Sequence, residues 1–98
     1  MFDKAKKLFQ LQSKARQVQN ELRSLEFEGT ELGGKVRVVV NGEQKVTQID
    51  IAEELLVPAE KEALERFLKQ AVTSAITKSQ QAAAQKMKGI AGELGLGL

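Results

Sequence analysis

The chain of 98 residues contains no cysteine, no histidine, no tryptophan and no tyrosine. Without cysteine there are no disulfides, thiolate metal sites or thiol nucleophiles. Without histidine the commonest general base and the commonest metal ligand are missing too. Only Phe2, Phe9, Phe27 and Phe67 are aromatic. The core must therefore be built from Leu, Val, Ile and Ala, and single-stranded nucleic acid finds few rings to stack on. No apolar run approaches the ~20 residues of a membrane span, and the N-terminus lacks the apolar segment of a signal peptide. A soluble cytoplasmic protein of one domain is expected.

The formal charge of +2 is too small to announce a polyanionic partner. Its distribution says more. Residues 1–25 carry six basic and two acidic groups, residues 26–70 carry six and ten, and residues 71–98 carry three and one. Two positive ends flank a negative middle, as in a dipolar shape with basic tips or a surface clustered by chance.

Residues 2–26 contain no Gly or Pro, and Leu8, Leu11, Ala15, Val18, Leu22 and Leu25 alternate spacings of three and four. That is the seam of a helix packed lengthwise on another helix, with Gln10, Gln12, Gln17, Gln19 and Asn20 on its polar side. Three heptads do not sustain an isolated coiled coil, so the partner helix is expected within the same fold. A short strand is predicted around Leu25–Thr30, where the pattern turns to alternation.

Gly29-Thr30-Glu31-Leu32-Gly33-Gly34-Lys35 matches seven positions of the phosphate-binding loop pattern. Val36 stands where that motif needs Ser or Thr, and a strand follows where it needs a helix N-terminus. The segment reads as a turn between strands.

Lys35–Ile51 is the strongest local signal. Two β-branched runs flank Asn41-Gly42, which favours a type I′ turn. A two-residue loop there pairs Val40 with Glu43, Val38 with Lys45 and Val36 with Thr47. Val36, Val38, Val40, Ile49 and Ile51 then share the core face, and Val39 and Val46 fall on the other. A hairpin apolar on both faces suggests a second covering from another subunit, so all seven residues are candidate dimer-core positions.

After a connector over Ala52–Val57, Pro58 suits the first turn of a helix, and Glu60 and Glu62 complement its dipole. An apolar stripe from Leu64 through Ile76, weaker through Ile90, predicts a helix from Pro58 to about Lys88. At 1.5 Å per residue it is about 45 Å long, against roughly 33 Å for the diameter of a compact chain of this size. A symmetric dimer is the natural remedy. The Gly- and Leu-rich residues 91–98 are expected to be a flexible tail, or else a small docking segment.

No constellation reads as catalytic. The many carboxylates lie on a connector and a first helical turn, and no serine has a candidate base beside it. No enzyme, cofactor or metal is expected. Phosphate contacts remain: Lys4, Lys6 and Lys7 cluster near the start of the first helix, with Lys14 and Arg16 beyond, and Lys78, Lys86 and Lys88 lie late in the last one. If the helices are antiparallel neighbours, both basic clusters meet at one tip. Such point-charge contacts need no aromatic platform and carry no base readout.

The chain resembles the YbaB/EbfC family of small bacterial nucleoid-associated proteins. The resemblance rests on Met1-Phe2 before the Gln-rich helix, Glu28-Gly29, Gly33-Gly34-Lys35-Val36-Arg37-Val38, Asn41-Gly42, Ile49-Asp50-Ile51, Leu55-Leu56, Leu64-Glu65, Ala71-Val72 and Lys86-Met87. It covers about residues 1–90, a single domain. It implies an α+β fold of long helix, three-stranded antiparallel sheet and long helix, assembled as a tweezer-like homodimer. It also implies a nucleoid-associated protein that binds double-stranded DNA with low sequence specificity. The alternative is a prefoldin-like helical module that grips protein clients and binds no DNA.

Overall fold

A computed structural model describes residues 2–93 and 95 of the chain. The first helix, α1 (Phe2–Ser24), leads into three strands, β1 (Glu26–Glu31), β2 (Val36–Asn41) and β3 (Val46–Ile51), and α2 (Lys61–Glu93) closes the chain. The strands form one antiparallel sheet in the order β1-β2-β3. The expected order of helix, sheet and helix is thus the one that forms. The molecule is a rod of 67 × 20 × 17 Å with a radius of gyration of 18.7 Å, against about 13 Å for a compact domain of this length. Its length comes from α2, whose 33 residues span about 50 Å.

α2 lies across the inner face of β1 and β2. Val36, Val38 and Val40 are fully buried there with Ala71 and Ala75, and Leu55 closes one end. Each buried valine stabilises the fold by about 1.5–3 kcal/mol. The helix sits close to the sheet because the contact is made of small residues. A Cβ on Gly29 would run into the Ala71 carbonyl oxygen and stand 3.0 Å from the Ala75 nitrogen. β3 lies beyond the reach of α2, and Val46 and Ile49 on its inner face stay about half exposed.

The hairpin register differs from the one predicted. Val36 pairs with Ile51, Val38 with Ile49 and Val40 with Val46, with a bulge at Val39/Val40. The slip is of four residues over most of the ladder. An even slip leaves side chains on their own faces, so Val36, Val38, Val40, Ile49 and Ile51 do share the core side. Past the bulge Val46 joins them. Val39 is on the outer face between Glu28 and Gln48 and is only 1% exposed. Arg37 bridges Glu28 (3.1 Å) and Asp50 (3.0 Å) on that face.

The cause of the slip is Asn41. It ends β2 and is buried, its Oδ1 accepting from the Glu43 and Lys45 amides at 2.9 and 3.1 Å. Its carbonyl accepts from the Gln44 amide (3.0 Å) and from Ser79 Oγ on α2 (2.8 Å). The loop is therefore three residues long, Gly42–Gln44, with Gln44 in the left-handed region at φ 67°, a hairpin form built on a type I turn. Gly42 is needed for room. Its amide donates to the Leu22 carbonyl at 2.7 Å, and a Cβ would come within 2.7 Å of the Leu22 Cβ. The hairpin loop thereby anchors the C-terminal end of α1.

The segment that resembles a phosphate loop is a short 3-10 turn, Leu32–Gly34, with Gly33 and Gly34 at φ 66° and 94°. Pro58–Glu60 forms another such turn before α2. α2 runs past Lys88 to Glu93, because Ile90 packs on Val18 and Leu22 of α1 with Leu11, Leu25 and Ala83 around them. Ala91, Gly92 and Glu93 of the expected tail are thus helical. Leu94 and residues 96–98 lie outside the described residues.

Candidate nucleic-acid interface

Two cross-helix ion pairs fix how α1 lies on α2. Lys86 Nζ is 3.2 Å from Glu21 and Lys14 Nζ is 3.8 Å from Glu93. Both pairs fit one antiparallel register, which puts the described end of α2 level with Lys14. α1 runs on past that level, with Leu11 still packed on the seam and the stretch before it, about 10–13 Å of helix, reaching furthest. Lys4, Lys6 and Lys7 ride on this projection, and all three are exposed.

The chain's two basic ends therefore share one pole of the rod. The acidic run Glu53, Glu54, Glu60, Glu62 and Glu65 lies at the other, at the start of α2. The sequence's pattern of positive, negative and positive becomes one dipole along the long axis.

The predicted basic residues do not form a single cluster. Lys4, Lys6 and Lys7 sit at the free end, Lys14 and Arg16 behind them, and Lys88 and Lys86 further back. Lys78 reaches the sheet, where its Nζ donates to the Glu28 carbonyl at 2.7 Å. From Lys4 to the level of Lys78 the row is about 37 Å long at 1.5 Å per residue, close to one turn of duplex DNA. Among the described residues Lys4, Lys6, Lys7, Arg16 and Lys88 form no ion pair, while Lys14 and Lys86 share theirs with carboxylates. Lys14, Gln17, Glu21, Lys86, Gly89 and Glu93 line a shallow groove between the helices.

Three charged arrangements were not anticipated from sequence. Glu21 and Glu93 oppose two of the basic side chains, and only the register of α1 on α2 brings them there. Arg23 Nε donates to Glu43 Oε1 at 2.7 Å, a second tie between α1 and the hairpin loop. That hydrogen bond, with the charge of Arg23, holds the Glu43 carboxyl below the usual glutamate range and raises the Arg23 guanidinium. Arg37 is raised as well, by its hydrogen bonds to Asp50 and then Glu28.

Of the seven candidate dimer-core residues, Val36, Val38, Val39 and Val40 are buried within one chain, and Ile51 packs on the same core. Val46 and Ile49 keep an open face. Leu56 and Val57, which follow the sheet, are exposed too. Among the described residues no cluster of three or more acidic groups is placed to hold a metal ion, and no helix is long and apolar enough to cross a membrane.

The fold and its charged pole define a class: a small α+β protein in which two long antiparallel helices carry a basic end away from a three-stranded sheet. Residues 1–94 match the family model described as the YbaB/EbfC DNA-binding family, and the chain belongs to that family, which is not one of enzymes. A protein of Bradyrhizobium sp. (strain BTAi1) named nucleoid-associated protein is 44% identical over 91 residues, covering 93% of this chain and 86% of that one. One of the same name from Dictyoglomus thermophilum is 32% identical over 95 residues, covering 97% and 91%. The crystal structure of an uncharacterized protein from Helicobacter pylori shares the fold, with a TM-score of 0.69 at 20% identity over 80% of this chain and 90% of that one.

Proposed function

We propose that this chain is a nucleoid-associated protein that binds double-stranded DNA with low sequence specificity. It does so as a homodimer, through phosphate contacts from Lys4, Lys6, Lys7, Lys14, Arg16, Lys78, Lys86 and Lys88. The observation that carries the reading is the projecting end of α1. Three exposed lysines within four residues lie beyond the level at which α2 ends among the described residues, at the pole opposite the acidic run. Ammonium groups so placed approach a phosphate backbone without a desolvated pocket, and none of them reads a base edge. Lys4, Lys6, Lys7, Arg16 and Lys88 are the primary contacts. Lys14 and Lys86 must leave a carboxylate to serve, and Lys78 must leave a carbonyl.

Family membership and the names of the relatives support DNA as the partner. For self-association the candidate surface is the uncovered edge at β3 with Val46, Ile49, Leu56 and Val57, the apolar groups that one chain leaves open. A pair of helices gripping protein clients is less favoured. α1 and α2 pack on each other along the Val18–Ile90 seam, and only a shallow groove lies beside it.

The test is binding to a random-sequence duplex over a salt series, with solution mass measured alongside. Five phosphate contacts per protomer give a slope of log affinity against log salt near −4.5 for one engaged protomer and near −9 for a dimer with both engaged, at about 0.9 per contact. Changes of sequence that leave the duplex equally deformable should matter little. No binding at ~50 mM salt removes the reading, and a monomeric mass removes the dimer.

A further inference from the structure

The geometry points to Phe9, seconded by Leu8, as an apolar wedge that enters the DNA groove and kinks the duplex. This rests on the duplex-binding reading above and adds what the protein does to the DNA. Phe9 is 73% exposed and Leu8 62%, the two most exposed large apolar side chains among the described residues. The core uses the aromatics it has: Phe27 and Phe67 pack against the buried valines and alanines under α2. Phe9 and Leu8 instead stand on α1 beyond the level of Lys14, where Phe9 borders an open hollow with Ser13, Gln17 and Glu93, the last residue of α2.

Their neighbours set the chemistry of the occupant. On a helix, residues three and four apart lie side by side. Lys6 therefore precedes Phe9 by one turn, and Lys4 precedes Leu8 by one turn. Each apolar group has an ammonium group one step nearer the tip, and Asp3 is the only carboxylate on the projecting segment. A neutral protein partner leaves the ammonium groups unanswered, and an acidic one meets them only where its carboxylates match their spacing. A duplex answers both groups, because lysines take phosphates on a groove wall while an apolar side chain enters between base steps. The heptad seam runs through Leu8, but Phe9 falls on the side of α1 away from Val18 and Leu22, so the α1–α2 contact does not call for it.

Wedges of this kind bend DNA by about 20–90° toward the major groove. They favour pyrimidine–purine steps such as TA, which unstack readily, over stiff A-tracts. A preference for deformable DNA follows, with no base contact needed to create it.

The experiment uses the full chain and two end-labelled 30-base-pair duplexes, one with a central TA step and one with a central A-tract. Binding and end-to-end energy transfer are read at low salt, with solution mass as the third readout. The wild type is expected to bring the ends of the TA duplex closer and to bind it about fivefold or more tightly than the A-tract. Phe9→Ala is expected to bind within a few-fold of wild type through its lysines while losing both the bend and the TA preference. Phe9→Trp should keep both. A straight duplex in the wild-type complex overturns the wedge, as does a Phe9→Ala complex bent like wild type. A change of mass in Phe9→Ala overturns it in favour of a contact between copies of the chain. Absence of any complex with either duplex removes the duplex-binding reading first, and the wedge with it.

Discussion

Replacing Gly29 by alanine adds a single methyl group at the closest approach of sheet and helix. That methyl meets the Ala71 carbonyl oxygen, lies 2.9 Å from its carbon and 3.0 Å from the Ala75 nitrogen. All three are backbone atoms inside α2, so no rotamer change relieves the overlap. α2 must back away from β1 by on the order of 1 Å, and a gap of that size forfeits a quarter to a half of the dispersion attraction across it. Overpacking typically costs 1–3 kcal/mol, and a clash with helix backbone belongs at the upper end. For a domain of this size a loss of ~3 kcal/mol lowers Tm by about 12–24 °C. Gly89→Ala is the control. It lies inside α2 with nothing within 4 Å of an added Cβ, and it should gain about 0.8–1.0 kcal/mol of helix propensity. Thermal unfolding followed by circular dichroism, at one fixed protein concentration, separates the two. A Gly29→Ala protein melting within ~3 °C of wild type would refute the close packing of α2 on β1.

Gly42→Ala should shift α1 on its anchor at Leu22; a chemical-shift map is expected to show changes at Leu22, Leu25 and Ile90 with the β2 core unmoved. Ser79→Ala removes the hydrogen bond from α2 to the Asn41 carbonyl and should cost about 1–3 kcal/mol in urea unfolding, the penalty for a buried polar group left short of a partner. Glu43, its pKa lowered by its hydrogen bond from Arg23, should titrate below the usual glutamate range by NMR, and Arg23→Gln should return it to that range. Because that pKa is depressed on folding, the tie contributes to stability above the ordinary glutamate pKa and is lost as pH falls through the lowered one. Glu21→Gln with Glu93→Gln releases Lys86 and Lys14, and duplex affinity should rise by about two- to fivefold per pair, from exposed-pair energies near 0.5–1 kcal/mol. Glu62→Gln with Glu65→Gln, at the far pole, should leave it nearly unchanged.

Periodicity made both helices, the three strands and the faces of the hairpin legible except at Val46, which the bulge turns to the core face, because burial imposes a period that composition cannot hide. The seam Leu11, Val18, Leu22 and Leu25 found its partner in Ile90 and Ala83, as a helix-on-helix seam must. Pairing register was another matter. Asn41-Gly42 carries the local preference for a two-residue turn, but Asn41 is held by Ser79 and Gly42 by Leu22, both remote in sequence. Tertiary contacts outweighed turn propensity there. The sequence also left open how far α1 overhangs α2, since the Glu21–Lys86 and Lys14–Glu93 pairs are visible only once the helices are aligned. The basic residues lie strung out along the two helices and do not form the single cluster expected. Lys78 looks like its neighbours in the sequence, yet it faces the sheet.

The central claim, that the projecting end of α1 holds the phosphate contacts, is tested most directly by the salt dependence of duplex binding in two charge-matched triple variants. Lys4→Gln with Lys6→Gln and Lys7→Gln should reduce the slope of log affinity against log salt by about 2.7 for each engaged protomer, about 5.4 for the dimer, at about 0.9 per lost contact, and weaken binding alike on unrelated sequences. Lys35→Gln with Lys61→Gln and Lys69→Gln removes the same charge away from that end and should leave the slope within about 0.5 of wild type. Equal slopes for the two variants would mean that net charge, and not the α1 tip, governs binding.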